Sequence, residues 1–261
     1  LLMWRGMEFA SERQAMSNNG LLLGAETSIS FSTPTPGDGE VVAVGGNLSS
    51  STLLSAYRHG IFPWFSDDDE PIQWWSFDPR SVIFPKQLHL SRSLKKRIRK
   101  KTYHLTVDSA FEQVIRGCRV VKRPDSNGTW ITENMIRAYL NLHYLGYAHS
   151  VEAWLDGMLA GGLYGVSLGG CFCGESMFAR QSDASKVAFA ALGGVLIDAG
   201  FGLIDCQEQT RLLSSFGAVS LSRASFLEKL ARELDKQSIR GNWGRLMPNF
   251  PRSSMWDELH G

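Results

Sequence analysis

The sequence predicts a mixed α/β fold, and three observations predict it. First, "AHSVEAWLDGMLAGGLYGVSLGGCFCGESMF", from Ala148 to Phe178, reads as successive antiparallel strands, with Asp156-Gly157 as a hairpin turn and Leu168-Gly169-Gly170 as a second. Second, this meander is preceded by the amphipathic helices "SAFEQVIRGC" and "ENMIRAYLNLHYLG" and followed by the helix "SDASKVAFAALGGVLIDAG". Third, "FGLIDCQ" adds another strand and "SRASFLEKLARELD" another helix.

The element boundaries carry local signals. Thr132 is placed to cap the second helix and Gly146 to stop it; Ser or Asp opens the helix that Gly200 ends. Nearer the start, "TPTPGDGEVVAVGG" is rich in Pro and Gly and holds one short strand candidate, Val41 to Val44. Asn47-Leu48-Ser49 then opens a helix in which Leu53, Leu54 and Tyr57 share a face, with Gly60 as its stop. Beyond Lys236 the chain reads as an irregular tail, and no internal repeat is present.

Two neighbouring segments suggest a partner. In "IFPWFSDDDEPIQWWSFDPR" the aromatics Phe62, Trp64, Phe65, Trp74, Trp75 and Phe77 crowd together, as core residues or as a platform for stacking on a base. From Pro79 to Val107 there is no acidic residue, while Arg80, Lys86, Arg92, Lys95, Lys96, Arg97, Arg99, Lys100 and Lys101 are basic. Leu90, Leu94 and Ile98 recur every fourth position, so this run predicts a helix with one apolar edge and a cationic remainder. A solvated helix face normally mixes both signs; a one-sign run beside aromatics points to nucleic acid. The net charge of the 261 residues is only +1, so that contact is local.

Composition excludes several classes. Apolar content of 43% and charged content of 20% describe an ordinary globular chain, and no stretch approaches the apolar length of a membrane span. The first fifteen residues lack signal-peptide organisation, and Met16, heading "MSNNG", is a candidate start. The 4 cysteines, Cys118, Cys171, Cys173 and Cys206, are expected as buried reduced thiols in a cytoplasmic protein. Cys171 and Cys173 have no second pair at zinc-site spacing, and they are read as facing opposite sides of a strand. No P-loop, dinucleotide fingerprint, Ser/His/Asp set or HExxH motif is present.

A meander, a helix, then a further strand and helix suggest an N-acetyltransferase type of fold, in which a Gly-rich loop before a helix holds the pyrophosphate of acyl-CoA. The corresponding "ARQSDASKVAF" keeps Arg180 but has Asp183 and Ser185 where glycines belong, which argues against acyl-CoA. A fold suited to acyl transfer, a cationic helix and an aromatic cluster together point to an acyl group carried by RNA.

The motifs "VGGNLSSSTLLSAYRHGIFPWFS", "WWSFDPR", "LHLSRSLKK", "GTWIT", "AHSVEAW", "GGLYGV", "FCGESMFAR", "DASK" and "LIDCQ", in that order, closely resemble the leucyl/phenylalanyl-tRNA–protein transferase family over Phe31 to Asp235. The resemblance implies a leader over residues 1–30, poorly ordered; a small N-terminal domain over 31–78; an acetyltransferase-like (GNAT-type) catalytic domain over 79–235; and a tail over 236–261. It implies transfer of Leu, Phe or less often Met from aminoacyl-tRNA to a protein beginning with Arg or Lys, in the N-degron pathway, by a cytoplasmic monomer with no cofactor, metal or membrane partner.

Residue by residue, the resemblance implies that Gln207 accepts a hydrogen bond from the attacking amine, that Asp205 holds Gln207, and that Glu175 helps bind the cationic acceptor. Asp205 and Gln207, two apart on a strand end, are expected on one face. Leu163, Phe172, Met177 and Ile204, with Gly174 and Ser176 beside them, match an apolar pocket for the donor side chain. Trp64, Trp130 and Tyr139 match aromatics around the terminal adenosine, and Arg92, Lys95, Lys96, Arg97 and Arg99 would grip the acceptor stem through its phosphates. The sequence departs from the family where Thr210 and Leu212 replace an Asn and a His, which raises the alternative of an aminoacyl-tRNA-binding homologue with little or no activity.

Overall fold

The computed structural model describes residues 21–23, 29–35, 37–120, 130–251 and 255–257. The candidate start at Met16, and the leader other than its residues 21–23, 29 and 30, lie outside them. A small sheet comes first: β1 (Leu21–Leu23), β2 (Val41–Gly45), β3 (Phe62–Pro63) and β4 (Gln73–Trp75), in the order β1-β2-β4-β3. The helix α1 (Ser50–Arg58) lies between β2 and β3, its first turn capped by Ser49, whose Oγ accepts from the Thr52 N–H. Gly60, at φ +70°, stops it in the left-handed conformation that glycine adopts without steric cost. Leu21–Leu23 pair in parallel with β2, so these residues of the expected leader belong to the sheet.

The second sheet has seven strands: β5 (Arg80–Ile83), β6 (His104–Val107), β7 (Ala148–Leu155), β8 (Met158–Leu168), β9 (Cys171–Ala179), β10 (Leu203–Gln207) and β11 (Val219–Leu221). Their order is β11-β5-β10-β9-β8-β7-β6. The β7–β8–β9 meander is antiparallel, and both residues of the Asp156-Gly157 turn have positive φ, as a two-residue hairpin requires. Among the described strands of this sheet only β9 and β10 pair in parallel, because α5 (Ala184–Asp198) carries the chain back between them.

The sheet separates two apolar cores. One face is covered by α1, α3 (Phe111–Val120), α4 (Glu133–Tyr144) and α7 (Arg223–Leu234) together with the small sheet. The other is covered by α2 (Arg92–Arg99), α5, α6 (Arg211–Ser215) and α8 (Trp243–Leu246). Alternation along the strands assigns side chains to them: Cys171, Cys173 and Leu203 belong to the first core, Phe172 and Ile204 to the second. The aromatic segment is chiefly core, with Phe62, Phe65, Trp74 and Phe77 buried and Trp64 and Trp75 half-buried, their rings 5.0 Å apart.

Two further expectations are corrected. Residues two apart on a strand share a face, and the Cys171 and Cys173 thiols lie 4.0 Å apart. The tail is also not merely irregular. Trp243 is fully buried, stacks on His149 at 3.9 Å, and donates its main-chain N–H to Asp108 at 2.7 Å. The sequence hides this because a four-residue helix has no periodicity to read.

The small sheet is joined to the rest by a buried arginine. Arg223, at the first position of α7, donates to the carbonyls of Thr35, Asp38, Gly39 and Ser76. Its main-chain N–H is accepted by Asp78. No helix among the described residues is long and apolar enough to cross a membrane. Trp243→Ala is expected to lower unfolding stability by about 3–5 kcal/mol, the usual cost of deleting a fully buried aromatic. Urea denaturation checks it, and a loss within experimental error would mean the tail is dispensable to the fold.

Candidate active site

The site forms where β9 and β10 part. Their parallel pairing covers Leu203–Asp205 against Cys171–Cys173 and ends there. At the next position a Cβ on Gly174 would meet nothing nearer than the Asp205 carbonyl at 3.7 Å, so the missing side chain leaves the gap open. Two β-bulges flank this gap. On β10 the register with β5 passes from Asp205↔Val82 to Gln207↔Ser81, which makes Cys206 an extra residue. On β9 it passes from Gly174↔Gly165 to Ser176↔Tyr164, which makes Glu175 extra. A bulge breaks alternation and re-aims side chains.

This corrects the expected geometry of the Asp205–Gln207 pair. The bulge takes Gln207 off the face that Asp205 occupies and leaves it at φ +55°, a costly conformation for a residue with a Cβ. Asp205 holds Gln207 through the main chain: its Oδ1 accepts the Gln207 N–H at 3.0 Å. The side-chain amide is held elsewhere. With its nitrogen toward the strand gap it donates to the Gly174 carbonyl at 2.8 Å and the Cys206 carbonyl at 3.1 Å, so its oxygen remains the group that can accept.

Asp205 is itself fixed by Arg80. The guanidinium donates from Nε to Oδ1 at 2.8 Å and from Nη2 to Oδ2 at 2.7 Å, and both residues are 1% exposed. A two-point contact of this kind fixes the carboxylate in place and in plane. Sequence reading placed Arg80 in the cationic run; the one available signal was its position at the head of the otherwise uncharged "RSVIF".

Glu175 lies on the Asp205 side of the sheet, buried, with Tyr57 donating to Oε1 at 2.7 Å and Tyr139 to Oε2 at 3.0 Å. The two hydroxyls also bond each other. Burial pushes Glu175 up to about 7, with the nearby Asp205 charge adding to the rise and the hydroxyls and Arg80 opposing it. Both tyrosines are held well above their ordinary range, first by burial and then by the Glu175 charge, so they remain donors. Tyr57 reads in the sequence as an ordinary core position of a helix.

On the opposite face is a narrow apolar pocket of about 20 Å³. It is lined by Leu163, Phe172, Gly174, Ser176, Met177 and Ile204, which are the residues the sequence assigned to a donor pocket, and also by Tyr164, Phe189, Cys206 and Leu213. The structure therefore brings the whole expected set together. The aromatic set is not alike: Trp64 is half-buried, Trp130 is buried, and Tyr139 is fully enclosed, edge-on to Tyr164 at 5.6 Å. Neither face of Tyr139 is exposed, and its hydroxyl is the atom that meets Glu175.

Of the basic residues, Arg92, Lys95, Lys96 and Arg99 are exposed on α2, which packs on α5 through Leu94 and Ile98. Arg97 turns toward Asp183, 3.6 Å away. Asp183 occupies the start of α5 and also meets Lys186 at 2.8 Å.

Comparison with known proteins now becomes decisive. The sequence profile described as "Leucyl/phenylalanyl-tRNA protein transferase" matches residues 82–231, and that of its N-terminal domain matches residues 46–78. The chain belongs to this family. Proteins named leucyl/phenylalanyl-tRNA–protein transferase are 52% identical over 203 residues in Desulforapulum autotrophicum (78% of this chain, 88% of that one) and 54% identical over 203 residues in Anaeromyxobacter dehalogenans (78% and 87%). One from Stutzerimonas stutzeri is 54% identical over 198 residues, 76% and 87%. Among solved structures, a GCN5-related N-acetyltransferase from Kribbella flavida covers 65% of this chain and 62% of its own at 11% identity and a TM-score of 0.35, a likeness too slight to carry an argument.

The leucyl/phenylalanyl-tRNA protein transferases are aminoacyl-transferring enzymes, and in this member a narrow apolar pocket, the Gln207 amide and two buried carboxyl groups lie around one gap. The raised pKa of Glu175 has a measurable sign. Between its ordinary value of 4.5 and about 7 the folded chain binds more protons than the unfolded one, so stability falls as pH rises through that window. Above it the penalty reaches about 3 kcal/mol. Glu175→Gln removes the titration, so the variant should gain on the parent in melting temperature between pH 5 and pH 8; parallel pH curves would contradict the assignment.

Proposed function

We propose that this transferase moves Leu, Phe and less often Met from aminoacyl-tRNA to the α-amino group of proteins that begin with Arg or Lys, within the N-degron pathway of the cytoplasm. The observation that carries the reading is the junction at Gly174, where the apolar pocket on one face meets the oriented Gln207 amide and the buried Glu175.

In this reading the donor side chain enters the pocket through the gap, which sets the ester carbonyl beside Gln207. The ester is already activated, so catalysis is mainly the positioning of two substrates and the movement of one proton. The acceptor's α-ammonium has a pKa of about 8, so its neutral form is accessible near neutral pH. The Gln207 oxygen accepts from that amine and aims its lone pair at the acyl carbon. As the new C–N bond forms and the C–O bond to the ribose breaks, the amine proton passes to the departing ribose oxygen, directly or through water. Glu175 supplies a carboxylate for the cationic acceptor. The exposed bases of α2 hold acceptor-stem phosphates, and Trp64 and Trp130 flank the terminal adenosine.

Thr210 and Leu212 bear on the alternative of a homologue that binds without transferring. Thr210 caps α6, its Oγ1 accepting the Leu213 N–H at 3.2 Å. Asn and Thr both serve as helix N-caps, so this exchange is compatible with an intact local fold.

The test is transfer of labelled Leu and Phe from their tRNAs to a peptide beginning with Arg, with an Ala-initial peptide as control. Transfer to the Arg peptide alone is expected, falling about a hundredfold in Gln207→Ala. Ile-tRNA should be a poorer donor than Leu-tRNA by roughly 10–200-fold, the range over which a shaped apolar pocket separates such side chains. Binding of aminoacyl-tRNA without any transfer would favour the inactive homologue.

A further inference from the structure

We propose that Arg80 is a positioning residue for the transfer reaction, acting through Asp205 on Gln207. The inference rests on the reading of Gln207 as the group that accepts from the attacking amine.

Arg80 and Asp205 form a buried ion pair that stability alone does not require. Removing a guanidinium and a carboxylate from water is expensive, and well-packed apolar side chains commonly serve a fold as well. Here the pair is 1% exposed on both sides, so its presence calls for another account. Its geometry supplies one. Arg80 takes both Asp205 oxygens in a side-on, two-point contact that fixes the plane of the carboxylate as well as its place. In that plane, the oxygen bonded to Arg80 Nε is also the one that accepts the Gln207 N–H. That hydrogen bond lies at the β10 bulge and holds Gln207 at φ +55°. A residue in this conformation persists only where its surroundings over-determine it. With the main chain so fixed, the side-chain amide, turned with its nitrogen toward the gap, reaches the carbonyls of Gly174 and Cys206 and leaves its oxygen as the acceptor.

Arg80 is in turn held from outside the strand. Its guanidinium carbon lies 4.8 Å from the centre of the Phe62 ring, on β3 of the small sheet, and 4.6 Å from that of Phe226, on α7. The small sheet thereby takes part in aiming a residue that none of its own side chains needs to touch.

The test compares Arg80→Lys, Gln207→Ala and the double variant in the transfer assay, with kcat and the KM for aminoacyl-tRNA measured separately. Lysine keeps the charge but offers no planar two-point contact. Arg80→Lys is expected to lower kcat about a hundredfold, as a misplacement of roughly an ångström does, with KM unchanged. In the Gln207→Ala background it should cause no further loss, because the group it positions is gone. Wild-type kcat in Arg80→Lys, or an equal further loss on top of Gln207→Ala, would overturn the proposal. If Arg80→Lys does not fold, Phe62→Leu loosens the guanidinium while leaving both charges, and it should lower kcat several-fold with KM unchanged; unaltered kcat there counts against the proposal. Full transfer by Gln207→Ala would instead remove the underlying reading of Gln207, a result distinct from any obtained with Arg80 alone.

Discussion

A charged group enclosed by protein must be matched on the spot, and the pairing of Arg80 with Asp205 is the match around which this molecule is arranged. The pair stands where the small sheet, the large sheet and α7 meet, with aromatic rings from two of these on the guanidinium. Arg223 secures the same junction from α7, through main-chain carbonyls of the N-terminal segment. Misplacing the junction would strand a buried charge, so the relative placement of the two sheets is tightly specified.

The two carboxyl groups near the gap differ because their neighbours differ. Asp205 faces a guanidinium at bonding distance and is held in place by it. Glu175 is enclosed with no cation among the described residues at bonding distance, so burial and then the Asp205 charge disfavour its ionisation, while the two tyrosine hydroxyls only partly offset this. Two acids set apart in this way can serve one reaction in different capacities, one as scaffold and one as the group that responds to a substrate's charge. The two bulges that present them cost regular pairing on β9 and β10, and they concentrate that irregularity at the point where the strands separate.

The two faces of the sheet come together at Gly174, which has no side chain and lies just past the end of the β9–β10 pairing. The apolar pocket lies on the α5 and α6 side, and the buried polar groups on the α1, α4 and α7 side.

Much of this was legible in the chain. Strand and helix positions follow from periodicity and from turn and cap residues that act locally: Asp156-Gly157 makes its hairpin and Thr132 caps α4 as their chemistry dictates. The apolar pocket set was also legible, since its motifs match a family in order and spacing. What the sequence could not give were the contacts made across long separations. Arg80 reads as one more base in a basic run until Asp205, 125 residues away, is brought to it. Tyr57 reads as core until its hydroxyl meets Glu175, and Trp243 reads as tail until it stacks on His149. The facing of Gln207 was misread for the same reason, because a bulge is a property of two paired strands and not of one. Local chemistry determined the elements; only the folded chain decided which buried charge found which partner, since that depends on proximity in space.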